Sequence, residues 1–382
     1  MSEQLSQYDE IRPYSPEELP AVLSELLEDP MFTAIVQNFF QGVPVEALKA
    51  KMLSCRNNLE FQKAFIYPLI KQLRAKNCTG LTFESALAPT KRYTYVSNHR
   101  DIVLDSALLS IVLIENGFED TPEIAIGDNL LIYPWIKKLV RVNKSFIVQR
   151  SLSMREMLES SRRMSSYMHY AINEKQQSIW IAQREGRAKD SNDRTQESVL
   201  KMMAMGGEGT PTERLKSLNI APLSISYEYD PCDYLKAQEF QQKRDNPDFK
   251  KSREDDLKNM QTGIFGYKGQ VHYQVAPCIN EWIDEMSTLP KGEFFSAVAQ
   301  RMDADIFRNY RLYPGNYVAA DLLESSTRFA SHYTEEQKQQ FEKYVQSRIA
   351  LVELPNPDTA YLRERILEMY ANPVLNQLSV QQ

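Results

Sequence analysis

Cysteine is scarce in this sequence. Four stand at positions 55, 78, 232 and 278, with no Cys-x-x-Cys pair and no cysteine–histidine cluster at metal-ligand spacing. That argues against a disulfide scaffold or a structural zinc, and reads as a reduced, cytoplasmic chain with no metal and no resident cofactor. Basic charge is not in excess: 45 Lys and Arg face 51 Asp and Glu, a net charge of −6. Such a total supplies no general phosphate neutralisation, so nucleic acid is not an expected partner, although a local cationic site for one phosphate is compatible with it. No Gly-x-Gly-x-x-Gly, P-loop or Gly-x-Ser-x-Gly segment occurs, which counts against dehydrogenase, kinase and serine-hydrolase chemistry. Long apolar runs are missing too. Charge-free apolar runs such as residues 106–114 and 129–136 fall far below the roughly 20 residues that cross a bilayer. The first 20 residues are acidic without an apolar core, which predicts no secretory leader.

What is present is ordinary globular material, 42% apolar and 25% charged, arranged in three parts. Residues 1–80 read as helices: Ser15-Pro-Glu-Glu is a helix start, and residues 44–53 and 60–76 follow a 3.6-residue period. Residues 81–285 alternate short β-rich runs (92–97, 123–127, 145–150, 178–183, 220–229 and 270–276) with helical stretches (102–116, 129–141, 152–175 and 196–205). This alternation predicts an α/β fold with a mixed, mostly parallel sheet flanked by helices. Residues 286–382 return to helix. Residues 233–262 are highly charged without an apolar stripe and read as a solvated insertion before the last strand.

The chemistry concentrates at Tyr93-Thr-Tyr-Val-Ser-Asn-His-Arg-Asp-Ile-Val-Leu-Asp. An apolar strand ends at Ser97-Asn98, which puts His99 at the turn into a helix, on the sheet edge where open α/β folds form their crevice. A carboxylate one or two turns on, Asp101 or Asp105, can hold one ring nitrogen so that the other serves as a general base. Three more segments follow: Arg141-Val-Asn-Lys-Ser-Phe-Ile-Val-Gln-Arg, Ile179-Trp-Ile-Ala-Gln-Arg-Glu-Gly-Arg-Ala-Lys, and the proline-bearing run Ile220-Ala-Pro-Leu-Ser-Ile-Ser-Tyr.

In this order and spacing, residues 92–230 resemble the glycerol-3-phosphate and lysophosphatidate acyltransferase superfamily, with its blocks His-x4-Asp, Phe-x-x-Arg, Glu-Gly-Thr-Arg and a hydrophobic Val-Pro strand. The family sets aspartate five residues after histidine. Here Asp101 stands at +2 and Asp105 at +6; the apolar helix after Asp105 favours that residue, while Asp101 could instead cap the helix start. The third block lacks the threonine, so Arg187 arrives one position early, with Lys189 and Arg194 close enough to substitute. The resemblance implies that Phe146, Arg150, Glu185, Gly186, Arg187 and Lys189 shape and charge the acceptor site, where arginine grips phosphate bidentately and glycine lets the backbone approach.

The same resemblance implies direct transfer of a fatty-acyl group from acyl-CoA or acyl carrier protein to glycerol-3-phosphate or lysophosphatidate, with main-chain amides near the turn holding the oxyanion. A lyso-amino-acid lipid as acceptor, or a non-catalytic acyl-binding relative, are the rival readings. Acyl chains do not dissolve, so a peripheral contact with the inner face of a membrane is expected, through residues 31–40 or 130–139. His169, His272 and His332 read as structural or surface residues, and Met202-Met203-Ala-Met205 as core or an adaptable apolar lining.

Overall fold

A computed structural model describes residues 6–150 and 153–381. The first five residues of the acidic N-terminal segment, and residue 152 of the helix expected over 152–175, lie outside them. The sheet has seven strands: β1 (Cys78–Ser85), β2 (Thr94–Ser97), β3 (Glu123–Gly127), β4 (Ser145–Val148), β5 (Ile179–Ala182), β6 (Ile220–Tyr227) and β7 (Gly269–Val275), in the order β1-β7-β6-β2-β5-β3-β4. Every neighbouring pair is parallel except β6–β7. The mixed, mostly parallel sheet is therefore as expected. Strand β1 is the addition: it lies on an edge and its burial alternates, and its polar Cys-Thr-Gly-Leu-Thr gave no apolar run to read.

The helices are α1 (Leu19–Glu28), α2 (Pro30–Phe39), α3 (Val45–Leu53), α4 (Asn58–Phe61), α5 (Tyr67–Asn77), α6 (Leu104–Glu115), α7 (Pro134–Val142), α8 (Met154–Asn173), α9 (Glu197–Met203), α10 (Pro211–Ser217), α11 (Asp233–Asp245), α12 (Arg253–Phe265), α13 (Lys291–Arg308), α14 (Pro314–Glu324), α15 (Glu335–Ile349) and α16 (Thr359–Ser379). Strands β2 and β6 are buried at every position, their small polar residues Thr94, Ser97, Ser224 and Ser226 included, so they show no exposed polar face. One face packs Val96, Ile179, Ile181 and Ile220 against α8 and α9. The other packs Tyr95, Trp180, Leu223 and Ile225 against α6. Helix α8 starts at a capping box, Ser153 with Glu156, worth about 1 kcal/mol. Pro222 sits inside the internal strand β6, but its carbonyl accepts from the Ala276 amide. Its missing N–H therefore faces β7 just where that ladder runs out.

The charged segment 233–262 is solvated only in part: residues 243–248 and 252–254 are exposed, but the first turns of α11 are not. Helix α11 buries Asp233, Lys236 and Glu239, because each has a partner: Lys236 on Asp230, Glu239 on Lys189 and Lys243, Asp233 on Arg348. Paired charges can enter an interior that excludes lone ones, so the lack of an apolar stripe was no measure of exposure. Helix α12 then crosses the edge where the parallel strands end. Its Gly263 lies so close to Asp101 that an added Cβ would stand 2.3 Å from Oδ2. The fully buried Lys268 holds the end of α12 through the carbonyls of Gly263 and Gly266.

Candidate active site

Strand β2 delivers Asn98 and His99 to its C-terminal end, and the chain turns at once into α6. Asp105, in the first turn of α6 and 0% exposed, folds back over this turn. Its Oδ2 accepts from His99 Nδ1 at 2.8 Å and from the amides of Arg100 and Asp101 at 2.6 and 3.0 Å. Its Oδ1 accepts from the Tyr227 hydroxyl at 2.9 Å, and Tyr273 donates to its carbonyl at 2.8 Å. The carboxylate is thus held from four directions. A carboxylate already accepting from three other donors keeps the proton on His99 Nδ1 and leaves the lone pair on Nε2. Nε2 has no hydrogen-bond partner among the described residues. The ring is 13% exposed and meets Trp180 edge to face at 5.6 Å; the indole in turn donates to Ser97 at 3.0 Å.

Asp101, the other candidate, caps α6: its Oδ1 accepts from the amides of Val103 and Leu104 at 2.9 and 2.8 Å. Burial, with Asp105 beside it, pushes this carboxyl upward. These contacts narrow the set of amides near the turn that are open to an oxyanion. Those of Arg100, Asp101, Val103 and Leu104 are already committed to the two carboxylates.

The second half of the site is less concentrated. Arg150, at the end of β4, and Glu185, after β5, approach to 3.8 Å with side chains 36% and 73% exposed. Both line a groove of ≈ 250 Å³ with Ala125, Val148, Met157, Met164, Ile181 and Met202. Ala182 in its wall pairs with Ser97, two residues before His99, but His99 itself is not among the residues that line the groove. Gly186 follows at φ +68°, a left-handed turn that glycine enters without strain. That turn sends Arg187 away from the groove, to Asn259 of α12 at 3.0 Å. Lys189 pairs with Glu239 of α11, and burial pulls its ammonium down to about 8. Arg194 lies over the Phe307 ring, 4.7 Å from its centre.

Phe146 is fully buried in the core against Tyr167, 5.5 Å between ring centres. Strand alternation points it to the core layer, so it steadies β4 from behind and offers a substrate no surface. Of the expected acceptor residues, the structure gathers Arg150 and Glu185 at the groove, with Gly186 shaping the turn, and turns Arg187, Lys189 and Phe146 elsewhere.

Two residues at the site had not been singled out. Arg184 lines the groove, and Arg100, 6% exposed, is paired with Asp193 at 2.7 Å. Adjacency to the motifs was the only signal for either. The methionines show a clearer pattern: Met202 reaches the groove wall while Met203 is fully buried. Of the remaining histidines, His169 is held by the Met203 carbonyl and Ser217, His272 by Thr82, and His332 stacks on Tyr317.

Residues 80–225 match the sequence model of the family described as Acyltransferase. No curated protein matches the chain. Among solved structures, the 1-acyl-sn-glycerophosphate (LPA) acyltransferase PlsC from Thermotoga maritima is similar over 75% of this chain and 95% of its own, with 11% identity and a TM-score of 0.37.

Proposed function

From the premise that residues 80–225 are an acyltransferase domain, we infer that this chain moves a fatty-acyl group from a thioester to the hydroxyl of a glycerol-3-phosphate or lysophosphatidate-type acceptor. The observation that carries the reading is the His99 ring, tied at Nδ1 to Asp105 at 2.8 Å and, among the described residues, unengaged at Nε2. Nε2 takes the acceptor's O–H proton as the oxygen attacks the thioester carbonyl. The C–S bond breaks, the ester forms, and the thiolate takes its proton from the imidazolium. Atoms and charge balance with the two substrates alone, acyl-CoA or acyl carrier protein serving as donor.

The methionine-lined groove suits an acyl chain, because unbranched thioether side chains adapt to a flexible apolar ligand. Arg150 supplies a cation at its mouth for the acceptor's phosphate. The neutralising approach of Glu185 favours a second reading, a zwitterionic amino-acid lipid as acceptor. Incubating the purified chain with labelled acyl-CoA or acyl carrier protein against both acceptor types separates them. Ester formed on glycerol-3-phosphate or lysophosphatidate supports the first, and ester formed only on the amino-lipid hydroxyl supports the second.

Contact with a lipid surface belongs to the same reading. Among the described residues no helix is long and apolar enough to cross a membrane. Helix α2 nevertheless carries no charge and buries only Phe32. Met31 (47%), Ile35 (36%) and Tyr133 (41%) are exposed on that side, and Trp135 stacks on Tyr133 and donates to Met31 Sδ at 3.3 Å. Aromatic rings beside an uncharged helix fit the boundary between headgroups and acyl chains.

A further inference from the structure

We propose that Asp193 is a positioning residue for His99, and that through Tyr310 it makes the C-terminal helices part of the working site. The inference rests on the reading of His99 as the base. The residues on either side of that histidine converge on one oxygen: Arg100 Nη2 lies 2.7 Å and Asn98 Nδ2 3.3 Å from Asp193 Oδ2. Tyr310, just beyond α13, donates its hydroxyl to the same atom at 2.6 Å. Asn98 is fixed on its other side as well, donating to the Ile225 carbonyl at 2.9 Å and accepting from the Ile225 amide at 2.8 Å. His99 therefore hangs between two anchored neighbours. The amide of Arg100, one of those anchors, also donates to Asp105, so a shift of Arg100 disturbs the base and its carboxylate together.

Stability alone is a poor account of this arrangement. Asp193 is 0% exposed, and its Oδ1 and the Arg100 Nη1 are buried with no partner among the described residues. A buried ion pair with unsatisfied atoms is on average no more stable than apolar side chains of the same volume. It does fix geometry, and a displacement of about 1 Å at a reacting group costs on the order of 100-fold in rate. Two further charges face Asp193 from neighbouring helices, Lys236 of α11 and Asp303 of α13, and neither comes within ion-pair reach. Tyr310 and Asp303 both lie outside residues 80–225. The acyltransferase segment thus depends on the C-terminal region for the last hydrogen bond of the clamp.

The test is Tyr310→Phe, which removes only the hydroxyl and leaves the ring beside Arg100, 5.8 Å away. Two readouts are taken on the full chain. In steady-state transfer from acyl-CoA, kcat falls by about tenfold to a hundredfold while both KM values stay within about twofold. In ¹⁵N-histidine NMR, the His99 signal, assigned by its loss in His99→Gln, changes from a single Nδ1–H tautomer to a mixture. Asp193→Asn shows the same pattern more strongly; should it fail to fold, Tyr310→Phe still decides. Unchanged kcat and an unchanged tautomer in Tyr310→Phe, with only a lower Tm, overturn the proposal. The NMR readout needs no substrate. A wild-type chain that transfers nothing, yet whose His99 tautomer responds to Tyr310→Phe, keeps the clamp and rejects the enzyme reading instead.

Discussion

From Asn98 to Asp105 nearly every polar group is committed: amides to carboxylates, hydroxyls to Asp105, and side chains across the sheet to Ile225 and Asp193. From Arg150 to Lys189 the charges are half exposed or spent on helices α11 and α12. The difference follows from what each part does. A base must be in place before any substrate arrives, so it is buried and held by many hydrogen bonds. A rim that recognises a headgroup gains its partners from the substrate, and its unsatisfied or loosely paired cations are what the substrate completes.

The contrast can be broken by exchange of single atoms. Asp105→Asn should lower kcat by roughly 10²- to 10⁴-fold, because the amide no longer holds the Nδ1–H tautomer. Asp101→Asn, which keeps the helix cap, should leave kcat within a few-fold, as parallel assays of both variants will show. Equal losses in the two would erase the distinction drawn between them.

The buried half also stores charge at a cost. Burial pushes the Asp303 carboxyl up from 3.8 to about 6, against the Thr195 amide that donates to it at 2.8 Å. With the folded value above the unfolded one, the folded chain holds the extra proton between about pH 4 and 6, and stability falls as pH rises through that window. Asp303→Asn should remove up to roughly 3 kcal/mol of that slope, measured as Tm or denaturant midpoint at pH 4, 5, 6 and 7. A slope of the same size in the variant would show that other groups carry it.

At the rim the expected effects are smaller. Arg150→Ala should raise KM for a phosphate acceptor about tenfold with kcat held. Arg187→Ala should instead lower stability, since its partner is Asn259 of α12. A large acceptor-KM effect at Arg187 would mean that α12 moves aside when substrate binds. Smallest of all, Met31→Ser with Ile35→Ser should weaken sedimentation with phospholipid vesicles severalfold and leave transfer to a soluble acceptor untouched.

Much of this was legible beforehand, for definite reasons. The central strands are largely apolar because both their faces are covered, and His99 at the end of one of them places itself. The apolar helix after Asp105 favoured it over Asp101 but did not decide between them, because a cap and a catalytic partner look alike in sequence and only the fold shows which oxygen faces the ring. The burial of α11 was hidden for the same reason: two of its charges, Glu239 and Asp233, are matched by Lys189 and Arg348 from distant parts of the chain. Asp193 carried no local signal at all, lying in a polar stretch that reads as loop. The inward turn of Arg187 depends on Gly186 and on a helix some 70 residues later, beyond any local pattern.

The most direct test compares the wild-type chain with His99→Ala in one experiment that measures donor binding and transfer together, using a fluorescent acyl-CoA and a lysophosphatidate acceptor. Donor affinity should be unchanged and the rate reduced by roughly 10²- to 10⁴-fold. A variant that binds the donor and still transfers the acyl group at the wild-type rate would contradict the reading of His99 as the base.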